Sequence, residues 1–155
     1  MSRSGNRLLL AATLVYLWGG LALDLVIAVL AWMHPQLWFG FFHAGTPQGL
    51  EIALLRRAAG QWAAFALAQA AALLWFRRAP VWLAIMAGIR FSDLFTDLFY
   101  LLAARPLTPH GWWVLAPLPL MNLGGVWLLL RCHAMMARTP RRGPKRKRVL
   151  AVASG

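Results

Sequence analysis

From Leu8 to Trp32 the chain runs for twenty-five residues with one charged side chain, Asp24. That exceeds the roughly 20 residues an α-helix needs to cross the hydrocarbon core of a bilayer. It also exceeds the apolar core of a secretory signal, and no small-x-small site follows it cleanly. The stretch therefore reads as a retained helix, with cleavage as the alternative. Ile52 to Phe76, Pro80 to Ala104 and Trp112 to Leu130 are further stretches of spanning length. Of the 155 residues 61% are hydrophobic and 13% charged, so a core this small cannot hide the apolar surface from water. An ordinary soluble domain is excluded, and so is disorder for most of the chain.

The expectation is an all-α, polytopic membrane protein: a bundle of four transmembrane helices over residues 1–138. Its spans are about 8–32, 52–76, 80–104 and 112–130, with an outer interfacial segment over 33–51. The basic residues set its orientation. Arg3 and Arg7 precede the first span, Arg77 and Arg78 fill the turn between the second and third, and eight basic residues run from Arg131 onward. With both termini inside, twelve lie on the cytoplasmic side and three (Arg56, Arg57, Arg105) on the other; Arg90 lies within the third span. This predicts an N-in/C-in topology. The lone cysteine, Cys132, excludes an intrachain disulfide or a CxxC redox pair.

Local signals add detail. His34 to His43, HPQLWFGFFH, is too apolar for a free loop and too short to cross, so it should lie in the outer interface. Trp32, Trp38, Trp75, Trp82, Trp112 and Trp113 fall near span ends, where an amphipathic ring suits the headgroup region. Thr46 and Pro47 read as a helix cap followed by a first-turn proline. Gly60, Ala64, Ala68 and Ala72 recur every four residues and offer a face for helix–helix contact, in the chain or between protomers. Gly19, Gly20, Gly88, Gly124 and Gly125 are candidate approach points on the other helices, and Pro117 and Pro119 should bend the fourth.

All four acids, Asp24, Glu51, Asp93 and Asp97, lie in or near proposed spans. At about 100° per residue, Arg90, Asp93 and Asp97 share one stripe of the third span, and Tyr100 continues it. Charges at the bilayer centre cost about 2.5–3.5 kcal/mol each on insertion scales, so this stripe should face the bundle interior. Helix rise places Asp24, Asp93 and Asp97 with Arg57 (or Arg56) and Arg90 in one outward-facing cluster, joined by Gln61 and Asn122. One reading is a salt-bridge network that fixes register. The other is a site that binds a proton, a cation or a small polar ligand.

The tail from 139 to 155 should be a disordered, basic cytoplasmic segment. Arg141, Arg142, Lys145, Arg146, Lys147 and Arg148 form a patch suited to anionic lipid rather than nucleic acid, or serve topology alone. His34, His43, His110 and Glu51 lack helical metal spacing, and Ser92 has no histidine at its depth. No Walker loop or dinucleotide fingerprint is present, so no catalytic residue, metal or cofactor is expected.

The run Leu54-Leu55-Arg56-Arg57-Ala58-Ala59-Gly60 heads the second span, a long outer connection precedes it, and Arg90 and Asp93 lie in the third. Together these resemble small DoxX-like bacterial membrane proteins over about residues 8–130. The resemblance implies a four-span fold and loose association with redox partners, and assigns no catalytic residue. The tryptophan content is similar to that of the TspO group, whose five spans exceed the four found here. The expected function is a structural, accessory or ligand-sensing component of the bacterial cytoplasmic membrane, alone or with a homo-oligomeric or membrane-protein partner. The alternatives are a proton- or cation-coupled transporter of small molecules and a membrane oxidoreductase subunit.

Overall fold

The structure, a computed structural model, describes residues 3–104 and 106–138. Arg105 and the basic tail with Arg141, Arg142, Lys145, Arg146, Lys147 and Arg148 lie outside the described residues. The described chain is all-helical, with no strand: α1 (Arg3–Met33), α2 (Pro35–Phe42), α3 (Gly49–Trp75), α4 (Val81–Ala103), α5 (Pro109–Leu115) and α6 (Leu118–Ala137). Two helical stretches, Ser4–Met33 and Pro109–Ala137, are long and apolar enough to cross a membrane. The long helices α3 and α4 each carry three charged side chains. The first mixes its leucines with alanine and two glutamines, and the second carries Arg90, Asp93 and Asp97.

Helix boundaries follow local chemistry. Pro35 disfavours helical backbone at His34, and α1 stops at Met33. Helix α3 begins two residues after Pro47, not at it. Gln48 and Glu51 form a reciprocal capping box, with the Gln48 amide donating to Glu51 Oε2 at 2.6 Å, which satisfies two N-terminal donors at once. Pro80 closes the tight turn after Phe76, since it has no N–H to continue a helix. Pro117 and Pro119 divide the last apolar stretch rather than merely bending it. α5 ends at Leu115, and α6 runs from Leu118 well past Leu130 to Ala137. Thr108 caps α5 by accepting from the Gly111 amide at 2.9 Å, with Pro109 at the first position.

The backbone packing of the long helices forms a circuit: α1 packs on α3, α4 on α6, and the α1–α6 and α3–α4 contacts complete it. Two apolar cores result. At the end holding the 76–80 turn, Leu17, Ala72, Phe76, Leu83, Met86, Leu129 and Cys132 pack together. At the other end α2 and α5 form a cap. Trp38 and Phe42 from α2 are buried there with Ala31, Leu55, Ala59, Leu101 and Leu115. The segment expected in the outer interface forms the helix α2, which buries Trp38 and Phe42 on one side and exposes Leu37 and Phe41 on the other.

The small-residue stripe does not hold one face. The buried line of α3 is Leu55, Ala59, Ala66, Gln69 and Ala72, whereas Gly60 and Ala64 are exposed. A strict four-residue repeat advances about 40° per step, so it drifts around the helix; alternating three- and four-residue steps stay on one face. Of the five glycines on the other helices, two mark close approaches. A Cβ at Gly20 would collide with the Gln69 side chain, and one at Gly125 with the Tyr16 ring, while Gly19, Gly88 and Gly124 have open space.

Paired substitutions separate packing from helix propensity. Gly124→Ala should stabilise slightly, by up to about 1 kcal/mol, because alanine is the better helix former. Gly125→Ala should instead destabilise by about 1–3 kcal/mol through overpacking against Tyr16. Unfolding of both variants in detergent micelles reads the difference, and equal effects would rule out the Tyr16 contact.

Candidate functional site

Between the two cores lies a polar layer. On α1 Asp24 falls between Leu17 of one core and Ala31 of the other; on α3 Gln69 falls between Ala59 and Ala72. On α4 Arg90 and Asp93 fall between Ala87 and Leu101, and on α6 Asn122 precedes Leu129 by two turns. Helix rise puts Arg90 and Asp93 about 14–18 Å along α4 from its first residue, near its middle.

The Arg90 guanidinium is the hub. Its Nη2 donates to Asp24 Oδ2 at 2.7 Å and its Nη1 to Asp93 Oδ2 at 2.9 Å, with a longer contact of 3.5 Å to Asp24 Oδ1. One cation therefore bridges carboxylates on two helices. Gln69 Nε2 approaches Asp24 Oδ2 from α3 at 2.6 Å, so three helices meet at one carboxyl group. Asp24 is 2% exposed and Arg90 6%, and Gln69 is fully buried. One turn beyond Asp93, Asp97 takes its hydrogen bond from Asn122 Nδ2 of α6 at 2.7 Å. Two shallow surface depressions, one lined by Pro106 to Trp113 and one on the Leu25–His34 side of α1, do not touch the cluster.

Asp24, Arg90, Asp93, Asp97 and Asn122 are thus brought into one layer. Arg57, Arg56, Gln61 and Tyr100 are not. Arg56 and Arg57 are exposed near the cap end of α3, about 18–20 Å along the helix from Gln69. Arg56 Nε reaches instead to the Trp32 carbonyl at 3.4 Å, one of the unpaired carbonyls at the end of α1. Gln61 is exposed on the outside of α3. Tyr100, two turns beyond Asp93, leaves the layer for the cap and hydrogen-bonds His43 Nε2 through its hydroxyl, with the rings edge-on at 5.7 Å.

Gln69 was missed, and its signal was present. It stands on the 3–4 stripe Leu55–Ala59–Ala66–Gln69–Ala72, where every other side chain is apolar. A glutamine on a core line needs a polar partner across the interface. The histidines do not converge: His34 and His110 are exposed, His110 stacks on Phe41, and His133 Nδ1 lies 2.9 Å from the Pro80 carbonyl at the opposite end. Among the described residues no three His, Cys, Asp or Glu side chains are placed to hold a metal ion.

With Arg57 outside, the layer holds three carboxyl groups and one guanidinium. Such a site can fix helix register, and it can also take up positive charge. No family model matches the sequence, and neither a curated protein nor a solved structure matches it.

At the cap, burial holds the His43 imidazole below the usual histidine range, while the Glu51 charge and the Pro106 carbonyl pull more weakly the other way. A folded-state value below the unfolded one means the native chain resists protonation. The His43 contribution is therefore intact above about pH 6.5 and is lost as pH falls through that range toward the lowered value. Thermal unfolding in micelles should show a decline in midpoint from pH 7 to pH 5. His43→Gln, which keeps a partner for Tyr100 without titrating, should flatten it; an unchanged slope would exclude His43.

Proposed function

We propose that the chain is a four-span integral membrane protein of the bacterial cytoplasmic membrane, with both termini inside. It acts as a non-enzymatic structural, accessory or ligand-sensing component. The observation that carries this reading is the inverted polarity of the long helices. Asp24, Gln69, Arg90 and Asn122 are buried, while Val15, Trp18, Val26, Leu67, Phe99 and Trp127 are 60–73% exposed. Water would reverse that distribution; lipid selects it, because charges are tolerated only where they pair away from the hydrocarbon.

The lengths of α3 and α4, at 27 and 23 residues, suit two further crossings beside Ser4–Met33 and Pro109–Ala137. Arg7, Arg77, Arg78, Arg131 and Arg138 gather toward the end with the 76–80 turn, which supports that end as cytoplasmic. The resemblance to DoxX-like proteins points to the same plan. In this reading the basic tail, Arg141 to Arg148, binds anionic lipid at the inner surface. Arg90 bridges Asp24 of α1 and Asp93 of α4 between the helices, which supports an internal lock.

Thr46→Cys and Ala79→Cys, each in the full chain with the buried Cys132 retained, test the arrangement by impermeant thiol labelling of intact cells. Thr46→Cys should label from outside and Ala79→Cys only after lysis. Labelling of both from outside would defeat the topology. In proteoliposomes the purified protein alone should show no proton-driven solute flux. Flux that Asp24→Asn abolishes would replace the accessory role with transport.

A further inference from the structure

The polar layer holds three carboxyl groups against one guanidinium, and it leaves Gln69 Oε1 and Arg90 Nε buried without partners among the described residues. Its donors are Arg90 and the amides of Gln69 and Asn122, and its acceptors are three carboxyl groups and two amide oxygens. Gln69 is fully buried, gives its Nε2 to Asp24, and leaves Oε1 without a partner among the described residues. That oxygen lies inside the layer, packed where Gly20 lets it approach α1 beside the Arg90 guanidinium. An orphaned buried acceptor costs about 1–3 kcal/mol, and excess negative charge in a lipid-embedded layer costs more. The charge excess has a direct remedy, since a proton added to a carboxylate removes one negative charge.

We propose that the layer is a proton-binding site with Asp97 as its seat. The reading rests on the chain being membrane-embedded. Asp24 and Asp93 share the Arg90 guanidinium, while the side-chain partner of Asp97 is the neutral amide of Asn122. An amide serves either protonation state. Its NH2 donates to a carboxylate and, turned over, its carbonyl accepts from a carboxylic acid. The 2.7 Å separation suits an O–H···O bond as well as a charge-assisted N–H···O bond. The proton comes from water: a hydronium ion gives it up, an O–H bond forms on the Asp97 carboxyl, water leaves, and the charge of the layer rises by one.

The groups facing this seat from each packed helix are Asp24 and Tyr16 of α1, the neutral Gln69 of α3, Arg90 and Asp93 of α4, and the neutral Asn122 of α6. None supplies a second cation. Arg90 therefore balances one of the three carboxylates, and protonation of Asp97 brings the layer closest to neutrality without breaking the Arg90 bridges.

Infrared spectroscopy of the full chain in lipid nanodiscs tests this by the carbonyl stretch of a protonated carboxyl group. At pH 6, about two units above where a solvated aspartate titrates, the wild type should show that band. Asp97→Asn should abolish it, and Glu51→Gln, which removes the acid outside the layer, should leave it. Absence of the band in inserted, helical wild-type protein overturns the proposal while leaving the membrane reading intact. So does a band that survives Asp97→Asn or disappears with Glu51→Gln. Replacing choline by sodium in the buffer should not remove the band; its loss would mean that a metal cation, not a proton, balances the layer. If Asp97→Asn does not fold, Asp97→Glu decides the matter: the band should persist at a shifted frequency, and an unshifted band overturns the assignment to Asp97.

Discussion

The Arg90–Asp24 contact ties α1 to α4 across the middle of the bundle. Moving either charge out of water costs several kcal/mol, and attraction offsets that only when geometry is close and the remaining hydrogen-bonding groups are served. Here the guanidinium reaches Asp24 on α1 and Asp93 on its own helix through separate nitrogens, and Gln69 adds a bond from α3. A slip of α1 by one residue along α4 would move its carboxyl about 1.5 Å along the axis and about 100° around it. Apolar contacts between helices in lipid are far more permissive, because a leucine loses little by sliding along another leucine. The pair therefore specifies one arrangement among many of similar packing.

From that fixed layer the rest follows in two directions. Toward the 76–80 turn, Leu17, Phe76, Leu83, Met86 and Leu129 pack into one core. Toward the cap, α2 and α5 fold over the helix ends, with Trp38 and Phe42 inserted and the His43–Tyr100 bond joining the cap to α4. Gly20 and Gly125 have a common role: each removes a side chain where a neighbour's polar or aromatic group must approach a backbone. Asp97 is the member of the layer held by an amide alone, which makes it the place where protonation disturbs least.

The helices, and the gathering of Asp24 with Arg90 and Asp93, were legible in the sequence. Long apolar runs have few alternatives, and three charges on one stripe of α4 must turn inward. The partners across the interface were harder to read. Depth estimates from span ends placed Arg57 near the acids, but Arg56 lies level with Trp32 at the end of α1, eight residues beyond Asp24, and both arginines are exposed. Gly60 and Ala64 looked like a contact face, but a four-residue repeat winds away from any straight neighbour. Gln69 was hidden by the alanines around it. The α2 cap is a tertiary outcome, for HPQLWFGFFH is as compatible with an interface as with a core until α5 is in place to cover it.

The central claim is that Arg90 and Asp24 act as one unit in setting the fold. A double-mutant cycle with Arg90→Met, Asp24→Asn and the pair, read by unfolding in mixed micelles, tests it most directly. Arg90→Met, which strands Asp24 and Asp93, should destabilise by about 3–5 kcal/mol, and Asp24→Asn, which leaves Arg90 paired with Asp93, by less. The double variant should cost less than the combined single losses by about 2 kcal/mol or more. Losses that add to within about 0.5 kcal/mol would show that the two side chains act independently, and would contradict the account.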